Sequence, residues 1–591
     1  MSLVTGLKEY VATAIAHIYT ITAAPDDILV NETKPEFEGD YTIVLFSLIK
    51  RLKLSPDALG TAIGTYLIEN HPHVVTHFNI IKGFLNLTIA DAFFTEFLLQ
   101  TNTEKIEPLA PTGKKIIVEY ASPNTNKPLH LGHLRNIFLG WSVSQILKAA
   151  GNDVFKTCIV NDRGVHICKS MIAWEKFSGG ATPQSTGIKG DHLVGDYYVR
   201  FNEAYKKEVD VLIAQGIPKE TAEREAPIMQ QTQQMLLDWE QGKPEVMTLW
   251  KEMNSWVYEG FEETYKRIGI HFDKTYYESE TYLLGKKFVE LGLEKGVLYK
   301  KDDGSVWIDL RAEGLDEKLL LRRDGTSVYI TQDLGLALQK HEDYPYDQSI
   351  YVIGDEQNYH MKVLKGILQK LHMPFADGIY HLSYGMVELP SGRMKSREGT
   401  VVDADDLVEE MTKEAAKKTA EHSNIETFTE AELKDLYEMI GLGALKFFLL
   451  RVDPKKKMVF NPEESIDFHG FTGPFIQYTY ARIRSILRKS GAAGSLPGVL
   501  QPLLPLEKTL LLLLEQYPLN LQQAASEHNP SVLANYIFTV AKTYNTFYAE
   551  HPVMRAESEE KKALRLQLCI RTAQTIAHAM DLLGIQVPER M

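Results

Sequence analysis

Two histidines, His130 and His133, stand three residues apart with Gly132 between them. On a helix this spacing puts both imidazoles on one side of a single turn. Ahead of them, Ile116-Ile117-Val118-Glu119-Tyr120 is an apolar, β-branched run that reads as a buried strand. Pro123, Asn124 and Pro128 break the strand and force a loop. From Leu131 onward, Leu134, Ile137, Phe138, Trp141, Ile146 and Leu147 follow helical spacing, and Gly151 is placed to stop the helix. A second strand, Val154 to Val160, comes next. The histidines therefore open a helix that leaves a strand. Free N–H groups and the positive end of the macrodipole suit an anion there, and Gly132 admits a ligand close to the backbone. A nucleotide phosphate is the natural guest. Zinc is the other use for two histidines, but the glutamate of a zincin motif is missing and no cysteines flank the pair. A bare pair at this spacing is most often incidental, so the surrounding string decides.

That string is specific. His130-Leu131-Gly132-His133 after a strand resembles the first signature of class I aminoacyl-tRNA synthetases, usually His-Ile-Gly-His. The longer runs Val118 to Asn124 and Lys127 to Arg135 are similar to arginyl-tRNA synthetases in particular. The basic, glycine-flanked run Ser391 to Val402 resembles a divergent form of the second signature, Lys-Met-Ser-Lys-Ser. Lys82 to Asn86 resembles the end of the family's additional N-terminal domain, which contacts the tRNA elbow. Ile440 to Phe448 and Thr472 to Leu487 resemble its helical anticodon-binding domain. The chain departs from the pattern at Asn161-Asp162-Arg163-Gly164, where many relatives have Gly-Asp-Trp-Gly. Asp162 and His166 are left without roles.

The elements that must position these residues divide the chain in three. Residues 1–110 read as a small α+β module, 111–405 as a Rossmann-like catalytic domain, and 406–591 as an all-α helical domain. The fold class is multidomain α/β: a doubly wound parallel sheet with an insertion, flanked by the other two. The insertion is placed at about 170–300, where long charged helical stretches run from Asp196 to Ala214 and from Pro227 to Ile268. The α/β pattern resumes at Gly304 to Leu310. Asp324-Gly325 reads as a turn between strand-like runs, so Asp333 falls at a strand's end. Further strands are expected at Ser349–Ile353 and Tyr380–Leu389. Ligands of such sheets bind at the carboxyl ends of strands.

At 591 residues the chain is too long for one core. Its 44% hydrophobic and 24% charged content is that of a soluble globular protein, and no apolar run reaches membrane-spanning length. Cys158, Cys168 and Cys569 form no CxxC pair, and Met1 to Tyr10 lacks the pattern of a secretory signal, so a cytoplasmic location is expected. A net charge of −14 argues against a general nucleic-acid binder. Residues 441–490 are the exception: nine basic residues face four acidic ones, a local +5.

The resemblance implies ligation of L-arginine to tRNA(Arg) with ATP. Magnesium would travel on the ATP, with no structural metal, no membrane partner and a monomeric chain. It assigns His130, His133, Lys127 and Lys395 to catalysis. Gly132, Gly354, Asp355, Met386, Arg393, Ser396 and Arg397 fall to ATP. Glu119, Asn124, Tyr329, Asp333 and Gln357 fall to arginine, and Tyr478, Arg482 and Arg484 to tRNA. A carboxylate gripping a planar guanidinium is the physical logic behind Glu119 and Asp333. Against this, Glu119 could be a surface residue and Asp333 a helix cap. Two other classes compete: a synthetase-like chain that holds tRNA without catalysis, and a different nucleotidyl transferase of the same fold.

Overall fold

The chemistry rests on a five-stranded parallel sheet. The structure, a computed structural model, describes residues 2–100, 106–390, 402–422, 427–491 and 502–591. The sheet's strands are β1 (Lys115–Glu119), β2 (Asp153–Val160), β3 (Lys274–Tyr277), β4 (Gln348–Gly354) and β5 (Ile379–Tyr384). Their spatial order is β5-β4-β1-β2-β3, and every neighbouring pair is parallel. Ile117, Val118, Ile350 and Val352 are fully buried, as strands covered on both faces require. Helix α1 (Leu131–Ala149) carries the chain from β1 to β2. The chain then builds outward to β3 and returns on the other side of β1 as β4. The switch point between β1 and β4 is where such sheets bind ligands.

Helix α1 ends as its sequence requires. Gly151 follows the cap at φ +90°, and a Cβ there would lie 2.2 Å from the Ala110 carbonyl oxygen, so only glycine fits.

The insertion is helical, with α2 (Gly190–Ala214), a helix over Pro227–Glu240, and α3 (Pro244–Arg267). The stretch expected to run unbroken from Pro227 to Ile268 is cut at Gly242, which turns at φ +69°, and Pro244 starts the second helix. The excursion also closes earlier than about residue 300, because Lys274–Tyr277 is already β3 of the main sheet. Conversely, the run at 304–310 lies in a separate antiparallel sheet of Leu298–Lys300, Val306–Ile308 and Lys318–Leu321. Strands of three or four residues carry too little periodicity to assign to a sheet.

Tyr329 to Gln332 opens helix α4 (Tyr329–Asp343) rather than closing a strand. Its aromatic and β-branched residues suggested extended chain, but Ile330, Leu334, Ala337 and Lys340 are buried at helical spacing, and packing decides. Helix α5 (Asn358–Lys370) links β4 to β5.

The N-terminal unit is a four-stranded antiparallel sheet packed with helices Leu3–Tyr19 and Pro56–Asn70. Beyond β5 the fold is almost wholly helical, led by α6 (Ala404–His422), α7 (Glu430–Leu450) and α8 (Gly473–Ser490). No described helix is long and apolar enough to cross a membrane.

Candidate active site

After β1 the chain turns sharply, with Ala121 at φ 78° and Ser122 at φ 45°. Left-handed backbone at non-glycine residues is costly and needs support from its surroundings. Buried Asn136 of α1 gives it. Its Oδ1 accepts from the Ala121 N–H at 2.6 Å, and its Nδ2 donates to the Val352 carbonyl at 2.7 Å and the Tyr384 hydroxyl at 3.2 Å. One side chain thus ties the loop to β4 and β5.

The two histidines form a reciprocal cap on α1. The Gly132 N–H donates to His130 Nδ1 and the His130 N–H to His133 Nδ1, each at 3.1 Å, and the ring centroids are 3.9 Å apart. Burial and the nearby Lys127 ammonium push His130 down to about 3, and burial with His130 and Lys127 hold His133 well below its ordinary value. Both rings are neutral at pH 7. With each Nδ1 accepting, each proton sits on Nε2, giving two donors of fixed orientation. The helix's first N–H groups are less free than its sequence suggests. Leu131 N–H donates to the Val402 carbonyl, and Gly132 N–H is engaged by His130. An anion here meets imidazole N–H groups, the helix dipole and Lys127. Lys127 and His130 line a cavity of about 220 Å³ with His192, Asp196, Tyr198 and Asp403.

A larger cavity, about 870 Å³, opens beside it; Asn124, Arg163, Glu278, Tyr329 and Asp333 are among its walls. Three of the five residues assigned to arginine are therefore brought together. Tyr329 is 77% exposed, and Asp333 lies 2.5 Å from His360 Nε2. Asp333 does not cap a helix, since Val328 holds that position in α4. Glu119 and Gln357 are not among the described lining of this cavity. Glu119 is no surface residue either. It is 4% exposed and ion-paired with the fully buried Lys340 of α4, whose ammonium lies 4.2 Å over the Tyr351 ring. Gln357 is exposed on the single turn before α5.

Glu278, just after β3, is the residue that sequence reasoning missed. Burial first, then Asp162 and Asp333, push its carboxyl up to about 7 against the pull of Arg163. The only signal was an acid directly after Thr275-Tyr276-Tyr277, hidden because this stretch was assigned to the insertion. Asp162 now has a place: it accepts from the Ser279 N–H, the Ser279 hydroxyl and the Tyr258 hydroxyl at 2.7–2.9 Å, welding β2 to α3 and the end of β3. His166 lines the large cavity and its Nδ1 lies 3.1 Å from the Tyr198 hydroxyl.

Gly354, the last residue of β4, and Met386, just past β5, are neighbours, with a Cβ on Gly354 lying 3.9 Å from Met386 Sδ. Asp355 follows on the turn. Arg393, Lys395, Ser396 and Arg397 lie outside the described residues. Their described flank is fixed to the first signature: Val402 and Ala404 bond to Leu131 and Leu129. In α8, Arg482 lies 4.8 Å over the Tyr478 ring and donates to Asn545 Oδ1 at 2.7 Å, while Arg484 donates to Glu589 at 2.8 Å.

A family model described as "tRNA synthetases class I (R), catalytic domain" matches residues 94–461. "DALR anticodon binding domain" matches 476–591, and "Arginyl tRNA synthetase N terminal domain" matches 5–89. The arginine–tRNA ligase of Flavobacterium psychrophilum is 52% identical over 605 residues, covering 100% of both chains. That of Bacteroides thetaiotaomicron is 52% identical over 572 residues, covering 95% of this chain and 96% of its own. The solved arginyl-tRNA synthetase of Thermus thermophilus matches at TM-score 0.81 and 26% identity, with 100% of both chains covered. A capped histidine pair at the switch point of a parallel sheet, an acid-lined cavity beside it, and three family models in the same order agree: the chain belongs to the arginyl-tRNA synthetases.

Proposed function

We propose that this chain activates L-arginine with ATP and passes it to tRNA(Arg), acting as a monomer. The arginine carboxylate attacks the α-phosphorus in line. The bond to the bridging oxygen breaks, and pyrophosphate leaves with the magnesium that arrived on ATP. A hydroxyl of the terminal tRNA ribose then attacks the adenylate carbonyl and AMP leaves. The attacking carboxylate is already ionised, so the first step needs no general base. It needs alignment and relief of charge growing on phosphate.

The observation that carries this reading is the neutral histidine pair. An imidazole locked with Nδ1 occupied donates from Nε2 without adding or losing a proton, which suits a phosphate whose charge only redistributes. Lys127 adds a cation there, and Lys395, Arg393 and Arg397 are assigned to the phosphates as well. Gly132, Gly354, Asp355 and Met386 border the nucleotide, and Ser396 is assigned to it. Asn124, Tyr329, Asp333 and Glu278 hold arginine, with the carboxylates facing its guanidinium. Glu119 acts from behind, through Lys340 and α4. The test is amino-acid-dependent pyrophosphate exchange across all twenty amino acids, with and without tRNA(Arg). Exchange with arginine alone, dependent on tRNA, is expected. Robust exchange with lysine or glutamine, or none with any amino acid, sinks the reading.

A further inference from the structure

Beyond the groups assigned to substrates, one dense cluster of charges has no part in this scheme. It lies where the insertion meets the segment entering α6. Lys189, the residue before α2, sets its Nζ 2.7 Å from Asp405, 3.2 Å from Asp191 and 2.6 Å from the Thr264 hydroxyl of α3. His192 Nε2 lies 3.1 Å from Asp405 and 3.5 Å from Asp403. Asp191 is fully buried, and its Oδ1 has no hydrogen-bond partner. Helices α2 and α3 cross so closely that a Cβ on Gly260 would lie 2.4 Å from that oxygen. Carboxylates gathered in this way call for a cation. Lys189 already stands between Asp191 and Asp405 and supplies it.

What the group grips is a main-chain rail. Asp403 forms an antiparallel bridge with His130. On either side, Leu131 N–H donates to Val402 at 3.1 Å and Ala404 N–H donates to Leu129 at 3.0 Å. Asp403 also caps α6, accepting from the N–H groups of Asp405 and Asp406 at 2.8 and 3.2 Å. The backbone that aims His130 is thus braced from outside by residues 402–404. Lys189 and His192 hold that brace.

We propose that Lys189 and His192 are positioning residues for adenylate formation, clasping Asp403 and Asp405 so that the 402–404 segment fixes His130 on the cap of α1. This rests on the reaction proposed above, with His130 acting on ATP. The charge state agrees with the geometry. The Asp405 hydrogen bond first, with Asp403 and Asp191, raises His192 to about 9, so it is cationic at neutral pH. It faces Asp191 and Lys189 from its own helix start, Asp403 from just before α6 and Asp405 from the first turn of α6. Lys127, His130 and Asp196 lie across the small cavity.

The experiment is arginine-dependent pyrophosphate exchange by the full chain with tRNA present, comparing wild type with Lys189→Met, Lys189→Arg and His192→Gln. A misaimed reacting group costs rate, so Lys189→Met and His192→Gln should each lower kcat about tenfold or more. The arginine KM should stay within about twofold, because other residues line that cavity. Lys189→Arg should recover part of the loss. Wild-type kcat should fall as pH rises through about 9, where His192 loses its charge, and His192→Gln should lose that part of the limb, keeping only what the buried Lys127 ammonium, itself lowered by burial, contributes. Unchanged kcat, a parallel rise in arginine KM, or an alkaline limb identical in wild type and His192→Gln would overturn the clasp. Should Lys189→Met fail to fold, His192→Gln, which keeps a donor, decides alone. If the function itself is misassigned, wild type shows no arginine-dependent exchange. If only the clasp is wrong, wild type and variants exchange alike.

Discussion

The cap of α1 and the arginine face of α8 hold their functional side chains in opposite ways. At the cap, two uncharged rings are fixed by main-chain N–H groups and by each other. On α8, charged guanidiniums are held by other side chains: Arg482 by Asn545 and Tyr478, Arg484 by the half-exposed Glu589. Main-chain partners cannot be exchanged without unfolding the helix start, whereas side-chain partners rotate away. The first arrangement suits a group that must already be aimed when charge develops. The second suits a surface that trades an internal partner for a large anion when it arrives.

If the cap is rigid in this sense, the steepest cost falls there. His133→Ala removes a fixed donor and also the acceptor of the His130 N–H, so both rings lose register. Loss of one preorganised donor typically lowers kcat by about 10²–10³-fold. The exchange rate should fall by that order with arginine KM little changed. A fall of only a few-fold would show that the pair is structural.

A step down comes Asp333→Asn, which keeps shape and removes charge. Asp333 lines the large cavity, and one of its oxygens, Oδ2, is engaged by His360, which leaves the other for the ligand space. Arginine recognition should weaken by roughly 1.5–3 kcal/mol, the worth of a hydrogen bond to a charged group. Discrimination against citrulline, nearly isosteric but neutral, should narrow. If kcat/KM for arginine drops less than about threefold and citrulline is still rejected, Asp333 is not in the pocket.

These two sites differ in how far the sequence reveals them. The α1 cap lies within one local unit, Ile116 to Gly151, where strand, breaker and helical spacing follow one another. Every element there is legible from periodicity and turn chemistry. The large cavity is assembled from distant segments. Glu278 follows a four-residue edge strand that resembles insertion, and Asp333 sits in a helix whose first residues favour extended chain. Neither Lys340 beneath Glu119 nor Lys189 against Asp405 is legible at all. Each pair is separated by more than two hundred residues, and only tertiary packing brings it together.

Glu278 yields a pH test. Burial raises its carboxyl to about 7 from 4.5, so below pH 7 it is mostly neutral. A raised carboxyl stabilises the fold below pH 4.5, and that contribution is lost as pH climbs to about 7. A guanidinium favours the ionised form, so arginine binding should expel a proton. Arginine affinity should therefore rise with pH up to about 7, by at most about tenfold per unit, and level off above. Calorimetry at pH 6.5 in two buffers of different ionisation heat reads the proton directly. Identical heats would place Glu278 away from the guanidinium.

The smallest effect is expected on α8, because its ion pair is made to be exchanged. The Arg484–Glu589 pair is 39% and 58% exposed, and pairs of that kind contribute only about 0–1 kcal/mol. A phosphate that displaces Glu589 loses little and gains a full charge contact. Arg482 is different: stacked on Tyr478 and bonded to Asn545, it is already ordered for a base or phosphate that comes alongside. Neutralising both arginines to glutamine should reduce the slope of log K against log[salt] by roughly 0.7–0.9 for each phosphate left without its cation. Adenylate formation at saturating tRNA should survive, since the partners of both arginines, Asn545, Tyr478, Tyr548 and Glu589, belong to the helical domain. Glu589→Gln should act in the reverse sense, freeing Arg484 and tightening tRNA binding slightly. Should the salt slope stay fixed in the double variant, these arginines do not touch RNA. Should Glu589→Gln weaken binding instead, the carboxylate orders Arg484 for RNA rather than standing in its place.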